Sequence, residues 1–299
     1  MITKTRVALL LFFSLLLSGC EKVVMLDPKG IVALAQKHLL FDAVFLMLLI
    51  VIPVIILSFL IVTRFRAGNL RANYAPEWSH STLLESIWWA VPCVIIAILA
   101  TITWITCHTL DPHRPLKSDA QPINVQVVAL DWKWLFIYPD EGVASVNFLQ
   151  IPVNVPVKFR ITADAPMNSF QIPQLGGQIY AMPGMDTELN LMASAPGDYR
   201  GMSANFSGNG FSGMSFIARA GSEEEFKAWV QKAKQSNTPL TISTYKTLAK
   251  PSENNKPQAF SKVASNLFRK IIMKYMEPNY EDLGEPSDPS KSTTIVTTE

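Results

Sequence analysis

The sequence predicts a membrane α plus all-β chain: two transmembrane helices as a helical hairpin, then a β-sandwich, then C-terminal helices. Three observations predict it. Residues 39–63 and 87–108 are long apolar runs, each long enough to cross about 30 Å of hydrocarbon as a helix. Beyond residue 115 the hydrophobic period changes to two, as in half-buried strands. From Ser222 the period returns to that of an amphipathic helix. Composition agrees: 49% of the 299 residues are hydrophobic and only 17% charged, too apolar for an ordinary soluble protein.

The N-terminus begins with Lys4 and Arg6 ahead of an apolar run that ends Leu17-Ser18-Gly19-Cys20. The run is about half the length of a spanning helix and is closed by small residues, so residues 1–19 read as a cleaved signal peptide. The Leu-Ser-Gly-Cys ending resembles a bacterial lipobox, which implies that Cys20 is lipidated and becomes the first mature residue. Residues 20–38 then form an outer segment. The only charge in 39–63 is Asp42, near the outer end, and 87–108 has none. Pro53 and Pro92 fall inside these helices, where a proline kinks the helix or sits in its first turns.

Arg64, Arg66 and Arg71 lie in the loop of residues 64–86, and the positive-inside rule makes that loop cytoplasmic. Lys22, Lys29 and Lys37 weaken that vote, and the signal peptide decides the topology: both termini outside. Trp88, Trp89 and Trp104 mark the two interfaces. Glu85 stands at the cytoplasmic boundary, where a carboxylate at a helix N-terminus is favoured by the dipole. His38, His80, His108 and His113 read as surface residues without a ligand role. Net charge is +2 with no basic cluster, which excludes nucleic acid as a partner class. Cys20, Cys93 and Cys107 have neither zinc-site spacing nor a disulfide pattern.

Residues 109–221 form the outer domain, in which the strands follow a linker at residues 111–115. Val155, Val157, Phe159 and Ile161 alternate with Pro156, Lys158 and Arg160. Other candidate strands are 123–130, 132–138, 143–151, 188–191 and 215–220, separated by Pro, Gly and Asp turns. About seven short strands make a sandwich. Residues 222–276 form a helical extension. It opens on Ser222-Glu223-Glu224-Glu225, a capping box, and continues in a second amphipathic helix over 259–276. Its cationic face suits a membrane surface or a partner protein. Residues 277–299, rich in Pro, Ser, Thr and acids, read as a disordered tail.

The stretch Tyr199 to Met214, YRGMSANFSGNGFSGM, resembles the copper-binding loop of subunit II of the haem–copper respiratory oxidases. In the cytochrome c oxidase branch that loop reads roughly Y-x-G-Q-C-S-E-x-C-G-x-x-H-x-x-M. The register of Tyr, Gly and Met is kept, but the cysteine positions are Ser203 and Ser207. The glutamate position is Asn205 and the histidine position Phe211. Upstream, Asn168 stands where the family's other histidine ligand lies, and only Met214 keeps a ligand type. From Arg114 onward there is no Cys and no His at all. A binuclear copper site needs thiolate and imidazole ligands, so this domain is not a copper electron acceptor of that kind. Asn205 is also a poorer magnesium ligand than the family's glutamate.

The resemblance sharpens the sandwich to a cupredoxin-like fold and places the chain in the quinol-oxidase branch of the family. It implies a complex that takes electrons from ubiquinol, reduces oxygen to water and pumps protons. Haems and the remaining copper would belong to the catalytic subunit I, and this chain would have no catalytic, cofactor or metal residue of its own. Its partners would be subunit I, smaller subunits and membrane lipid. The family's corresponding helix entry lies near the mouth of a proton pathway, which makes Glu85 a candidate for proton entry beside its plainer reading as a boundary carboxylate. Two other readings stay open: a free-standing lipoprotein with the β domain as a binding module, and a menaquinol oxidase subunit.

Overall fold

The computed structural model describes residues 23–72, 75 and 77–277. Cys20, the signal peptide and nearly all of the acidic tail lie outside them. The chain divides into two compact units, Leu34–Arg114 and the combination of Met1–Ala33 with Pro115–Glu299.

The first of these holds α2 (Thr82–Thr109) and, from Leu34 on, α1 (Ile31–Arg64), both long and apolar enough to cross a membrane. Each begins before its expected apolar run. Hydropathy locates the apolar span, but a helix ends where its backbone is capped or broken. Nothing in residues 31–38 interrupts α1, so part of the expected outer segment is helical. At α2 the chain turns extended at Ser81. Hydroxyls along both spans bond to their own backbones: Ser58 Oγ donates to the Val54 carbonyl at 2.7 Å, and Thr103 Oγ1 to that of Leu99 at 2.8 Å. A hydroxyl in a hydrocarbon setting is thereby satisfied without water.

The other unit is a β-sandwich. Its strands are β1 (Ile123–Leu130), β2 (Lys133–Tyr138), β3 (Val143–Val146), β4 (Phe148–Pro152), β5 (Val157–Ala163), β6 (Asn168–Gln171), β7 (Gln178–Ala181), β8 (Thr187–Leu191), β9 (Gly197–Ser203), β10 (Ser215–Gly221) and β11 (Gln258–Phe260). One sheet runs β11-β3-β2-β1-β5-β8 and the other β4-β10-β9-β6-β7. The β1–β5 and β4–β10 pairs are parallel. The expected single strand over 143–151 is two strands in different sheets. The break is Asn147, at φ 53°, a left-handed conformation that Asn adopts more readily than most residues. Its side chain holds the crossing: Oδ1 accepts from the Trp134 N–H at 2.9 Å, and Nδ2 donates to the Asn255 carbonyl at 2.9 Å.

Between the sheets lies an aromatic core. Phe170 and Phe216 stack with centroids 5.3 Å apart, and Trp134 meets Phe170 edge-on at 5.3 Å. The outer face of the six-stranded sheet is buried as well. Val128, Leu130, Leu135 and Ile137 pack there against Leu240, Tyr245, Phe260, Phe268 and Ile271 of the extension. That double burial explains why β2 reads as a continuous apolar run rather than an alternation.

The extension contains α3 (Glu223–Lys234), α4 (Ile242–Leu248) and α5 (Leu267–Met276). The capping box is present: the Glu225 N–H donates to Ser222 Oγ at 3.2 Å and the Ser222 N–H to Glu225 Oε2 at 2.8 Å. The expected helix over 259–276 is corrected. Residues 258–260 are β11, paired with β3, and the helix starts only after Asn266, at φ 58°. Phe260 and Phe268 both face the second core, so their apolar spacing carried no information on which element held them. The apolar face of α5 is spent on its own domain, not on a membrane surface.

Candidate functional site

Strands β6 and β9 bring Asn168 and the start of the 203–214 loop together. They pair through Phe170 with Ser203 and Gln171 with Met202, which sets Asn168 beside Ser203. The Ser203 hydroxyl donates to Asn168 Oδ1 at 2.9 Å, and Asn168 Nδ2 donates to the Pro166 carbonyl at 2.7 Å. Both residues are buried. Asn205 Nδ2 donates to the Met167 carbonyl at 2.9 Å, and the Ala204 N–H to the Ser169 carbonyl at 2.9 Å. The 204–206 stretch is thus laid along the start of β6 by amides.

On the far side of the loop, a short 3-10 turn at Phe211–Gly213 turns the chain into β10. Phe211 packs edge-on against Phe206 at 5.5 Å. Met214 is buried in the aromatic core, and its carbonyl accepts from the Ser203 N–H at 3.2 Å. The Ser207 carbonyl accepts from Trp132 Nε1 at 3.1 Å. Trp132 has φ 61°, an uncommon conformation for a bulky residue, and it presses on the loop at Gly208 and Gly210. Ser207 Oγ and Trp134 Nε1 are buried without a hydrogen-bond partner among the described residues. Each such group costs about 1–3 kcal/mol.

Contacts join Asn168, Ser203, Asn205 and Met214 through β6 and β9, whereas Phe211 meets Phe206 and the Ser207 hydroxyl has no partner among the described residues. Asn168 and Ser203 are already bonded to each other, Asn205 and Phe211 turn to neighbouring groups, and one thioether remains. Two amides, two hydroxyls, a phenyl ring and a thioether lack the thiolate and imidazole donors that a redox copper requires. Among the described residues no group of three or more His, Cys, Asp or Glu side chains could hold a metal ion.

Glu85 lies in the first turn of α2. Its Oε1 is 2.6 Å from His80 Nδ1, and His80 Nε2 is 3.1 Å from Thr82 Oγ1. The structure therefore gives His80 a partner that sequence reasoning did not assign; the five-residue spacing across a helix start was the available signal. Two buried charges were also missed. Lys133 is fully buried, its Nζ donating to the Lys250 carbonyl at 2.8 Å and to Ser252 Oγ at 2.5 Å. Burial pushes its pKa down, partly offset by Asp131. The Asp164 carboxylate accepts from Tyr245 Oη at 2.5 Å, Tyr275 Oη at 2.6 Å and Lys274 Nζ at 2.7 Å. A lysine inside Trp-Lys-Trp-Leu-Phe was a visible anomaly, whereas nothing in the sequence joined Asp164 to tyrosines so far along the chain.

Comparison with known proteins matches residues 142–220 to the family model described as cytochrome c oxidase subunit II, periplasmic domain, and residues 234–279 to that described as the COX aromatic rich motif. The chain is 51% identical over 275 residues to cytochrome bo(3) ubiquinol oxidase subunit 2 of Pseudomonas putida, covering 90% of this chain and 87% of that protein. It is 52% identical over 264 residues to ubiquinol oxidase subunit 2 of Acetobacter aceti, covering 88% and 85%. Among solved structures, the periplasmic domain of cytochrome oxidase subunit II of Bradyrhizobium japonicum matches at 25% identity, with a TM-score of 0.38 over 41% of this chain and 98% of that one. Full-length relatives at this identity, with a β domain that keeps the loop's register but not its copper ligands, lead to one conclusion: the chain belongs to the subunit II family of haem–copper oxidases, within the ubiquinol oxidase subunit 2 group.

Proposed function

We propose that this chain is the non-catalytic second subunit of a proton-pumping terminal oxidase that oxidises ubiquinol and reduces oxygen to water. The observation that carries this reading is the loop of residues 203–214, folded and hydrogen-bonded with no donor set for copper. Electrons from a soluble cytochrome would need an acceptor in this domain, and its side chains supply none. A quinol dissolved in the membrane needs no such relay, because it delivers electrons and protons within the bilayer. Two ubiquinols supply the four electrons that convert one oxygen molecule to two waters.

Haems and copper belong, in this reading, to the catalytic subunit I, which this chain stabilises and covers with its periplasmic domain, alongside smaller subunits. The membrane is the bacterial cytoplasmic one, with Cys20 carrying a lipid on its outer face. Glu85, with His80 beside it, stands at the cytoplasmic helix boundary as a candidate entry point for protons.

The test is oxygen uptake by the complex that co-purifies with this chain, offered ubiquinol or reduced cytochrome c. Uptake with ubiquinol and none with cytochrome c is the expected result. Efficient oxidation of cytochrome c would overturn it. Purification without any oxidase would instead favour a free-standing lipoprotein with a binding module.

A further inference from the structure

A metal bound in a loop also cross-links it, because ligands from separate segments are tied to one ion. The loop at 207–213 lacks that cross-link, yet it is rich in glycine and serine, and its Ser207 Oγ is buried without a hydrogen-bond partner among the described residues. Something else must fix it. We propose that residues 250–256 of the C-terminal extension brace this loop against the sandwich, doing mechanically what a metal does in a metallated loop.

Three sets of observations place the brace. First, it is anchored to the sheet by buried groups. Lys133, at the start of β2, reaches the Lys250 carbonyl and the Ser252 hydroxyl, and Asn147 donates to the Asn255 carbonyl. Ser252 and Asn255 close the segment on itself: Ser252 Oγ lies 3.0 Å from Asn255 Oδ1, and Asn255 Nδ2 donates to the Ser252 carbonyl at 2.9 Å. Second, the segment touches the loop itself. A Cβ placed on Gly210 would lie 2.8 Å from Glu253 Cγ, and one on Gly213 2.8 Å from Asn254 Oδ1. Third, Trp132 closes the opposite side: the same Cβ on Gly210 would lie 2.5 Å from its ring, and one on Gly208 3.2 Å. The loop is therefore held between an indole and the 253–254 corner, and its glycines are there because neither wall leaves room for a side chain.

Lys133 and Asn147 act as positioning residues: their side chains bond the 250–256 segment, and that segment meets the loop. The brace acts whatever the electron donor, so its test is independent of oxidase activity.

Hydrogen–deuterium exchange on the assembled complex reads it directly, through peptides covering 205–214 and, for comparison, β1, β5 and β9. One variant carries Glu253→Gly with Asn254→Gly. Both positions are exposed, and Asn254 has φ 52°, so glycine fits the backbone. The other variant is Lys133→Met. The expected result is at least tenfold faster exchange in the 205–214 peptide of both, with the strands unchanged. An unchanged loop in the double-glycine variant overturns the brace. So does exchange in Lys133→Met that rises equally across loop and strands, which would make Lys133 a general stabiliser. If Lys133→Met does not assemble, the double-glycine variant decides alone.

Discussion

Asp164 shows what one buried carboxylate does in this domain. Its side chain is almost wholly buried, yet it accepts from two phenols and an ammonium, so the charge is compensated rather than stranded. Tyr245→Phe keeps the ring in the second core and removes one donor. Loss of a hydrogen bond to a charged group costs about 1.5–3 kcal/mol, and thermal unfolding of the solubilised chain measures it. The pH dependence has a definite sign. Burial first, and the Asp164 charge second, hold the Tyr245 phenol well above its ordinary 10.0. The unfolded chain therefore releases that proton before the folded one does. The stabilisation is fully present below pH 10 and is lost as pH rises above it, and Tyr245→Phe flattens that alkaline decline. At the membrane boundary, Glu85→Ala is expected to slow ubiquinol-driven turnover. Unchanged turnover and pumping would leave Glu85 as a boundary carboxylate paired with His80.

Two element-scale features carry their own predictions. The segment before α1 and the first turn of that helix are strapped to the sandwich by backbone bonds. The Lys29 N–H donates to the Gln174 carbonyl at 2.7 Å, the Ser194 N–H to the Lys29 carbonyl at 2.7 Å and the Ala33 N–H to the Leu175 carbonyl at 3.1 Å. Gly176 makes the approach possible: it has φ +94°, and a Cβ there would lie 2.5 Å from the Ala33 nitrogen. Gly176→Ala is thus strained twice, by conformation and by backbone overlap. It should speed amide exchange across residues 28–33 while leaving β1 and β2 protected. At the other end of the domain, α3 depends on its cap. Ser222→Ala removes both the acceptor for the Glu225 N–H and the reciprocal geometry. It should cost about 0.5–2 kcal/mol, seen as fraying of the first turn in exchange measurements.

At the scale of the whole molecule, the long apolar helices and the proposed lipid are unequal anchors. A single acyl chain gives only marginal membrane binding, far below that of a spanning helix. Cys20→Ala is therefore expected to remove the lipid and leave the protein in the membrane fraction; release into the soluble fraction would contradict two spanning helices. The β domain is larger than its eleven strands. The extension covers the outer face of the six-stranded sheet, adds β11 to its edge and contributes three donors to Asp164. Removing residues 234–277 would expose that apolar face, with loss of the soluble fold as the measurable outcome.

Much of this protein was legible without coordinates, because local chemistry carries it. Two long apolar runs mark helices able to cross a membrane, the capping box depends on residues three apart, and the lack of Cys and His from Arg114 onward leaves the outer domain without the donors of a binuclear copper site. The register of Tyr199, Gly201 and Met214 identified the loop for the same reason. Tertiary structure decided what depends on distant partners. Residues 143–151 became two strands because Asn147 is held by Trp134 and Asn255. Residues 258–260 became a strand because β3 offered an edge, and α5 turned its apolar face inward because the sheet's second face was uncovered. Lys133 and Asp164 are tolerable inside only because residues more than 80 positions away supply their partners. A pattern of hydrophobicity records which side of an element is apolar. Which neighbour covers that side, and which charge finds its counterpart there, is settled only when the chain closes on itself.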